Sequence, residues 1–359
     1  MDRLSLTTLA ASLGGIFDLG KSRLLTMAVL LTGIVSARTV NLTHIACLFP
    51  GKALNASNYR RLQRFFEQCD VSMIACSRQL MAFMAPRHQP VTLAMDRTNW
   101  KFGSKDINIL VLAMITRRFR VPLMWVFLPH RGNSDTQQRI DLIETFIAHF
   151  GESRIGLLLA DREFIGAKWL TFLNKRQIPF VIRAKENLKL TPSDGQTTQL
   201  KSIWHRRPGK RPTSGWLSGM EQRDDNKVQI GMKRMKSGEI LYILTNLDNP
   251  DKALSQYRKR WAIECLFGDS KTRGFNLEDT HITDPKKLNT LMVVIALATA
   301  WACRSATASK GNAAIPKKSH GRPQKSWFRV GFDILRRWIV HDSDQAMRVW
   351  AKYETTIKS

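Results

Sequence analysis

Residues 91–128, VTLAMDRTNWKFGSKDINILVLAMITRRFRVPLMWVFL, decide the fold. Three runs within them, VTLAMD at 91–96, INILVLAMI at 107–115 and FRVPLMWVFL at 119–128, are apolar, β-branched or aromatic, with short polar turns between. Continuous apolar runs of this length are what strands buried on both faces require. Downstream, a helix over about 135–150 precedes a fourth strand, RIGLLLAD at 154–161, and a helix over about 166–176 leads to a fifth, IPFVIRA at 178–184. Three meandering strands followed by alternating helix and strand specify an α/β sheet with helices on its faces.

Two of these strands close on an acid, Asp96 on the first and Asp161 on the fourth. An aspartate at the carboxyl end of an apolar strand sits where α/β sheets gather ligands, although either alone also reads as a turn residue or helix N-cap. A third carboxylate belongs to YRKRWAIECLFGDSK, 257–271, part of a helix expected over about 253–273. Tyr257, Arg260, Glu264 and Lys271 stand at offsets 0, 3, 7 and 14, which at 100° per residue places them within about 60° on one stripe. An ordinary solvated face with i,i+3 and i,i+4 pairs has the same pattern. The company of Asp96 and Asp161 gives Glu264 a second meaning. Three carboxylates from separate elements can hold two Mg²⁺ ions about 4 Å apart, and such a pair serves phosphodiester cleavage. A phenol, a guanidinium and an ammonium on the same stripe suit phosphate oxygens. Glu163, Asp106, Asp135 and Asp269 are the substitutes if the strand ends are displaced by a turn.

The charge supports that chemistry. Fifty-six Lys and Arg against 29 Asp and Glu leave +27 over 359 residues, an excess that favours a polyanionic partner, nucleic acid before an anionic membrane. The longest apolar runs, 24–36 and 291–303, fall short of the roughly 20 residues a spanning helix needs, so no membrane is expected. Residues 1–20 lack the layout of an export signal, and the five cysteines at 47, 69, 76, 265 and 303 suit reduced thiols in a cytoplasm. A zinc site from Cys69, Cys76 and His88 fits no usual spacing.

Four regions follow. Residues 1–88 show helical spacing and read as three to five helices, with 55–58 a cap before the helix carrying Tyr59, Arg60, Arg61 and Arg64; ten Lys or Arg against four acids in 1–90 make this a DNA-binding head. Residues 89–303 form the catalytic domain, interrupted over 186–252 by a β-rich insertion with a hairpin turning near 236–238. Residues 304–359 are a basic linker and a last helix over about 327–353; nine Lys or Arg against one acid fall in 304–337, around GNAAIPKKSHGRPQKS (311–326). In it, Gly321-Arg322-Pro323 offers an arginine to a minor groove.

Asp-x-Thr-x-Trp at 96–100, Asp-Arg-Glu-Phe at 161–164 and Tyr-x2-Arg-x3-Glu-x6-Lys at 257–271 resemble the signature of the DDE cut-and-paste transposases of the fourth insertion-sequence family. The resemblance extends in order and spacing over about residues 20–345. It implies an RNase H-like mixed-sheet core with the first and fourth strands adjacent, in which Asp96, Asp161 and Glu264 are the catalytic metal ligands. It further implies two Mg²⁺ ions, with Mn²⁺ as substitute, and double-stranded DNA as partner, both terminal inverted repeats and target. Cleavage would run through a hairpin intermediate before strand transfer, by a homodimer in the synaptic complex, in a bacterial cytoplasm beside the nucleoid. Tyr257 and Arg260 would hold the phosphate beside a flipped base, Lys271 would contact the strand near the cut, and a tryptophan of the insertion, Trp204 or Trp216, would stack on that base. Trp100 and Trp261, next to the acids, read instead as packing. The competing readings are an RNase H-like nuclease that cleaves without joining and a DNA-binding regulator derived from such an enzyme. A membrane-surface protein is disfavoured, because the cations do not oppose a continuous apolar face.

Overall fold

The computed structural model describes residues 1–85, 88–193, 195–207, 211, 213–319 and 321–351. Five helices come first: α1 (Arg3–Gly14), α2 (Lys21–Ala37), α3 (Leu42–Ala46), α4 (Asn55–Gln68) and α5 (Met73–Met84). The core follows as β1 (Val91–Phe102), β2 (Lys105–Ile115), β3 (Arg120–Phe127), α6 (Thr136–Phe150), β4 (Ile155–Ala160), α7 (Ala167–Lys175) and β5 (Phe180–Ala184). Then come β6 (Lys189–Pro192), β7 (Thr198–Gln199), α8 (Leu200–Trp204), β8 (Ser214–Leu217), β9 (Val228–Arg234) and β10 (Ile240–Thr245). The chain closes with α9 (Pro250–Tyr257), α10 (Trp261–Ser270), α11 (Pro285–Lys310), α12 (Trp327–His341) and α13 (Ser343–Ala351).

The strands make one sheet in the order β3-β2-β1-β4-β5-β10-β9-β8-β6-β7. β1, β2 and β3 meander antiparallel, while β4 and β5 run parallel to β1 through helical crossovers, the arrangement of an RNase H-like core. β10 pairs antiparallel with β5 over Tyr242–Ala184 to Thr245–Val181, so the β-rich insertion extends the core sheet and does not stand apart from it. Strand alternation sorts the faces. Ala94, Leu157, Leu159 and Val181 meet Leu254, Tyr257, Ile263 and Leu266 of α9 and α10 on one face. Leu93, Met95, Leu158 and Ile182 lie on the other, in the core that holds Phe146 of α6 and Trp169 of α7.

Four expectations need correction. β1 does not stop at Asp96: it runs on to Phe102, pairing Asp96 with Val111 and Phe102 with Lys105 across a turn at Gly103, whose φ of +58 suits glycine. The helix expected over 253–273 is two, because Arg258–Arg260 tightens to a 3-10 turn between α9 and α10. Residues 55–58 are not a cap but the first turn of α4, where the Asn58 side chain donates to the Ala46 carbonyl at 3.2 Å. The last helix is divided at Asp342, which leaves α12 at φ −153 and accepts from Gln345 N–H at 3.1 Å; the end expected at Tyr353 lies outside the described residues.

Chain ends share one helical layer around α11. α12 and α13 pack on it, α2 touches both α11 and α12, and α1 rests on α13, where Trp350 Nε1 donates to Ser12 Oγ at 2.7 Å. α11 extends to Lys310, so the basic linker begins later than residue 304. By length and hydropathy α11 passes for a membrane span, yet 89% of its apolar window is buried inside the protein, as suits a core helix. The closest approach in this layer falls at Gly331, where a Cβ would stand 1.8 Å from the Ala302 carbonyl oxygen. Backbone cannot yield as a side-chain tip does. Gly331→Ala is therefore expected to destabilise the fold by about 3 kcal/mol, the upper range for overpacking, and a thermal midpoint equal to wild type would contradict this close packing.

Candidate active site

The parallel ladder between β1 and β4 ends at Met95–Ala160, and the next residue on each strand is an acid. Asp96 and Asp161 thus stand side by side at one edge of the sheet. Alternation turns Asp96, in phase with Ala94, and Asp161, in phase with Leu157 and Leu159, toward the face that α9 and α10 cover. The 3-10 turn between those helices then aims two side chains at the acids. Tyr257 Oη donates to Asp161 Oδ1 at 3.2 Å, and Arg260 Nη1 donates to Asp96 Oδ2 at 3.2 Å. The other arm of Arg260 binds Glu264 Oε1, one turn along α10. One guanidinium therefore bridges two of the expected acids, and a phenol on the same turn caps the third.

Burial decides the electrostatics. Asp96 is pushed up to about 6, first by desolvation and then by the negative charges of Glu163 and Asp161, against pulls from the Arg97 N–H and Arg260. For Arg260, burial opposes its charge, but Tyr257, Asp161, Asp96 and Glu264 together hold it above its ordinary value. Tyr257 is raised, chiefly by burial, and stays a neutral donor. Asp96 and Arg260 side chains are 17% and 10% exposed, whereas Glu264 is 45% exposed and open to solvent. Hard oxygen donors concentrated around a buried positive charge form a seat suited to a cation. Among the described residues, no group of three His, Cys, Asp or Glu side chains is placed to hold a metal ion. Carboxylate oxygens are donors of the kind a divalent ion takes.

The remaining expected residues are distributed differently. Lys271 follows α10 and has left the helical stripe: its ammonium bonds the Asn99 carbonyl at 3.1 Å and pairs with Glu278 at 2.7 Å. Trp216 lies on β8, four strands from β4, about 19 Å at the usual strand spacing, and donates to the Arg223 carbonyl at 2.8 Å. Trp204 is flanked by the guanidinium of Arg211 at 4.3 Å and that of Arg234 at 5.9 Å. Arg322 sits in an exposed turn closed by the Lys317–Pro323 bridge. None of these four bonds an acid of the trio. The substitute acids are engaged elsewhere: Glu163 with Arg97, Asp106 with Arg131, Asp269 with Arg120, and Asp135 as the capping box of α6.

Trp100 and Trp261 part company. Trp100 is 6% exposed and packs as expected, but Trp261 is 65% exposed, which corrects its reading as packing. As the first residue of α10 it projects from the sheet, lining with Tyr257, Arg260 and the exposed Met235 a cavity of about 250 Å³. Its only sequence signal is its place in the motif, one residue after Arg260.

A second basic surface lies on the helical layer. Arg23, Arg61 and Arg64 line a cavity of about 260 Å³ at the start of α2, which has no side-chain cap. Arg61 is held in place by Thr26 Oγ1 at 2.9 Å and the Ser22 carbonyl at 3.2 Å, and no carboxylate lines the cavity.

An RNase H-like sheet with one aspartate within its first strand and another just past the end of the adjacent fourth, and a glutamate on a helix across them, is the frame of enzymes that break and join nucleic-acid phosphodiesters. Residues 87–301 match the transposase DDE domain model. The chain belongs to that family, whose members cut DNA and transfer its strands. Among curated proteins no match is found. A solved structure, the cryo-EM synaptic complex of piggyBac transposase with hairpin DNA, is similar at a TM-score of 0.44 and 12% identity over 95% of this chain and 73% of that one.

Proposed function

We propose that this transposase is a cut-and-paste enzyme of the fourth insertion-sequence family, acting on terminal inverted repeats through hairpin ends. The observation that carries the reading is the convergence of Asp96, Asp161 and Glu264 on the two residues Arg260 and Tyr257, within the spacing that defines the signature. Two Mg²⁺ ions, or Mn²⁺ in their place, supply an activated water and charge neutralisation at the attacked phosphate when held by the three acids. In this reading Arg260 and Tyr257 pass from the acids to DNA phosphate when those acids take up cations. Both offer N–H or O–H donors, which suits phosphate oxygens. A 3′-OH freed at each element end attacks the opposite strand, and the resulting hairpin is reopened before joining to target DNA. One chain holds one acid trio, so two chains serve two ends in a homodimer.

Lys271 sits at the rim of the site, one ion pair away from a strand near the cut. Trp204 and Trp216 remain candidates for stacking on an extruded base, and Trp261 joins them because it is exposed and lines a cavity with Tyr257 and Arg260. Arg322 offers the minor groove a cation. The test is a duplex carrying the terminal repeats of the element, incubated with protein and Mg²⁺ and resolved under denaturing conditions. Hairpin ends run at twice the strand length; nicked or blunt products alone would favour a nuclease that does not join.

Arg23, Arg61 and Arg64 make residues 1–88 a DNA-binding head in the same reading. Removing one phosphate-binding cation should reduce the slope of log affinity against log salt by about one. Arg61→Ala with Arg64→Ala is thus expected to reduce it by about two on any duplex sequence, and an unchanged slope would remove this surface from the interface.

A further inference from the structure

Backbone pairing stops where the chemistry starts. The last β1–β4 pair is Met95–Ala160, so no ladder hydrogen bond joins the strands at Asp96 and Asp161 or beyond. The first connection past that point is a side-chain fork. Arg97 Nε and Nη2 donate to Glu163 Oε1 and Oε2 at 2.7 and 3.0 Å, joining the residue after Asp96 to the turn that carries Asp161. The same guanidinium donates to Asn108 Oδ1 on β2 and to Asn133 Oδ1 in the loop after β3, both at 3.1 Å. Asn108 in turn donates to the His130 and Gly132 carbonyls at 3.0 Å, which fixes that loop. Four segments therefore meet on one arginine whose side chain is 16% exposed.

We propose that Arg97 is a positioning residue that takes over from the ended ladder, holding the Asp161 turn against β1 so that Asp96 and Asp161 keep the spacing a shared cation needs. The assignment rests on the acid-trio reading above. It explains why a third acid next to the site is not a ligand: both oxygens of Glu163 are committed to the fork. It also explains the residue type, because only a planar guanidinium can bind a carboxylate with two parallel bonds and still reach two amide oxygens. Lysine keeps the charge and loses the geometry.

The test compares wild type with Arg97→Lys, Glu163→Gln and the exchanged pair Arg97→Glu with Glu163→Arg. Mn²⁺ binding to DNA-free protein is followed by calorimetry, and duplex cleavage is followed against Mg²⁺ concentration. Outer residues that orient metal ligands are worth roughly 10- to 100-fold in metal affinity. Arg97→Lys is expected to weaken Mn²⁺ binding about tenfold or more, to lower cleavage at limiting Mg²⁺ with recovery at high Mg²⁺, and to leave DNA affinity unchanged. Glu163→Gln, which keeps the shape of the turn, should weaken Mn²⁺ binding in the same direction, and the exchanged pair should recover only the part carried by the fork, since a glutamate at 97 cannot donate to Asn108 and Asn133. Folded Arg97→Lys and Glu163→Gln proteins that bind Mn²⁺ as wild type does would overturn the positioning role, leaving the fork a stability feature only. Wild-type protein that binds no Mn²⁺ either alone or on an end-bearing duplex would instead overturn the acid-trio reading, and the proposal with it.

Discussion

Glu264→Gln is expected to lower cleavage of an end-bearing duplex in Mg²⁺ by on the order of 10³-fold while DNA affinity stays within about twofold, a loss of about 4 kcal/mol of transition-state stabilisation. The change removes one negative charge at nearly constant volume from a side chain that is 45% exposed, so the fold has little reason to respond. Its partner among the described residues is Arg260, which keeps Asp96 when Glu264 is neutralised. Binding should survive because the cations proposed to grip phosphate, Arg23, Arg61 and Arg64 among them, lie on other elements. Asp96→Asn and Asp161→Asn should behave alike in cleavage. Single-turnover cleavage on gels, with filter binding in parallel, measures both quantities. A Glu264→Gln protein that cuts at the wild-type rate would remove Glu264 from the catalytic set and favour a site built on the two aspartates alone.

The sequence made some of this legible and hid the rest for identifiable reasons. Buried strands announce themselves, since β2 to β5 need apolar side chains on both faces, and their runs mark them within a few residues. β1 beyond Asp96 does not, because Arg97, Thr98 and Asn99 read as a turn. Those residues extend past the end of β4 and are held by backbone bonds to β2, which any side chain permits. The joining of the insertion to the core left no trace either, as β10 pairs with β5 through backbone alone. Helical phase located Tyr257, Arg260 and Glu264 on one side of their segment but overreached at Lys271, since phase assumes that the helix continues and α10 ends at Ser270. What a motif cannot carry is the partner a side chain finds across the fold. Arg260, read only for phosphate, also bridges Asp96 and Glu264; Glu163 looked like a spare ligand and is committed to Arg97; Trp261 looked like packing and is exposed.

Arg260→Ala is expected to move two measurements in opposite directions. With no DNA present, the guanidinium competes with cations for Asp96 and Glu264, so its removal should tighten Mn²⁺ binding by about tenfold, or about 1.4 kcal/mol. In the proposed hand-over the same side chain is freed for phosphate on DNA, so its removal should slow cleavage by roughly 10²- to 10³-fold, the usual cost of removing a charge-stabilising donor. Arg260→Lys should fall between, because an ammonium neutralises the acids but lacks the two-armed reach that now spans Asp96 and Glu264. Burial pushes Asp96 up and Arg260 lowers it only in part, so the acid still gains from a stronger positive charge. A purely structural arginine would behave otherwise: losing it would leave two acids unpaired, loosen the α9–α10 turn and weaken metal binding together with cleavage. Calorimetry with Mn²⁺ on DNA-free protein separates the two cases, and affinity that drops alongside the cleavage rate would rule out the hand-over of Arg260 from acids to phosphate.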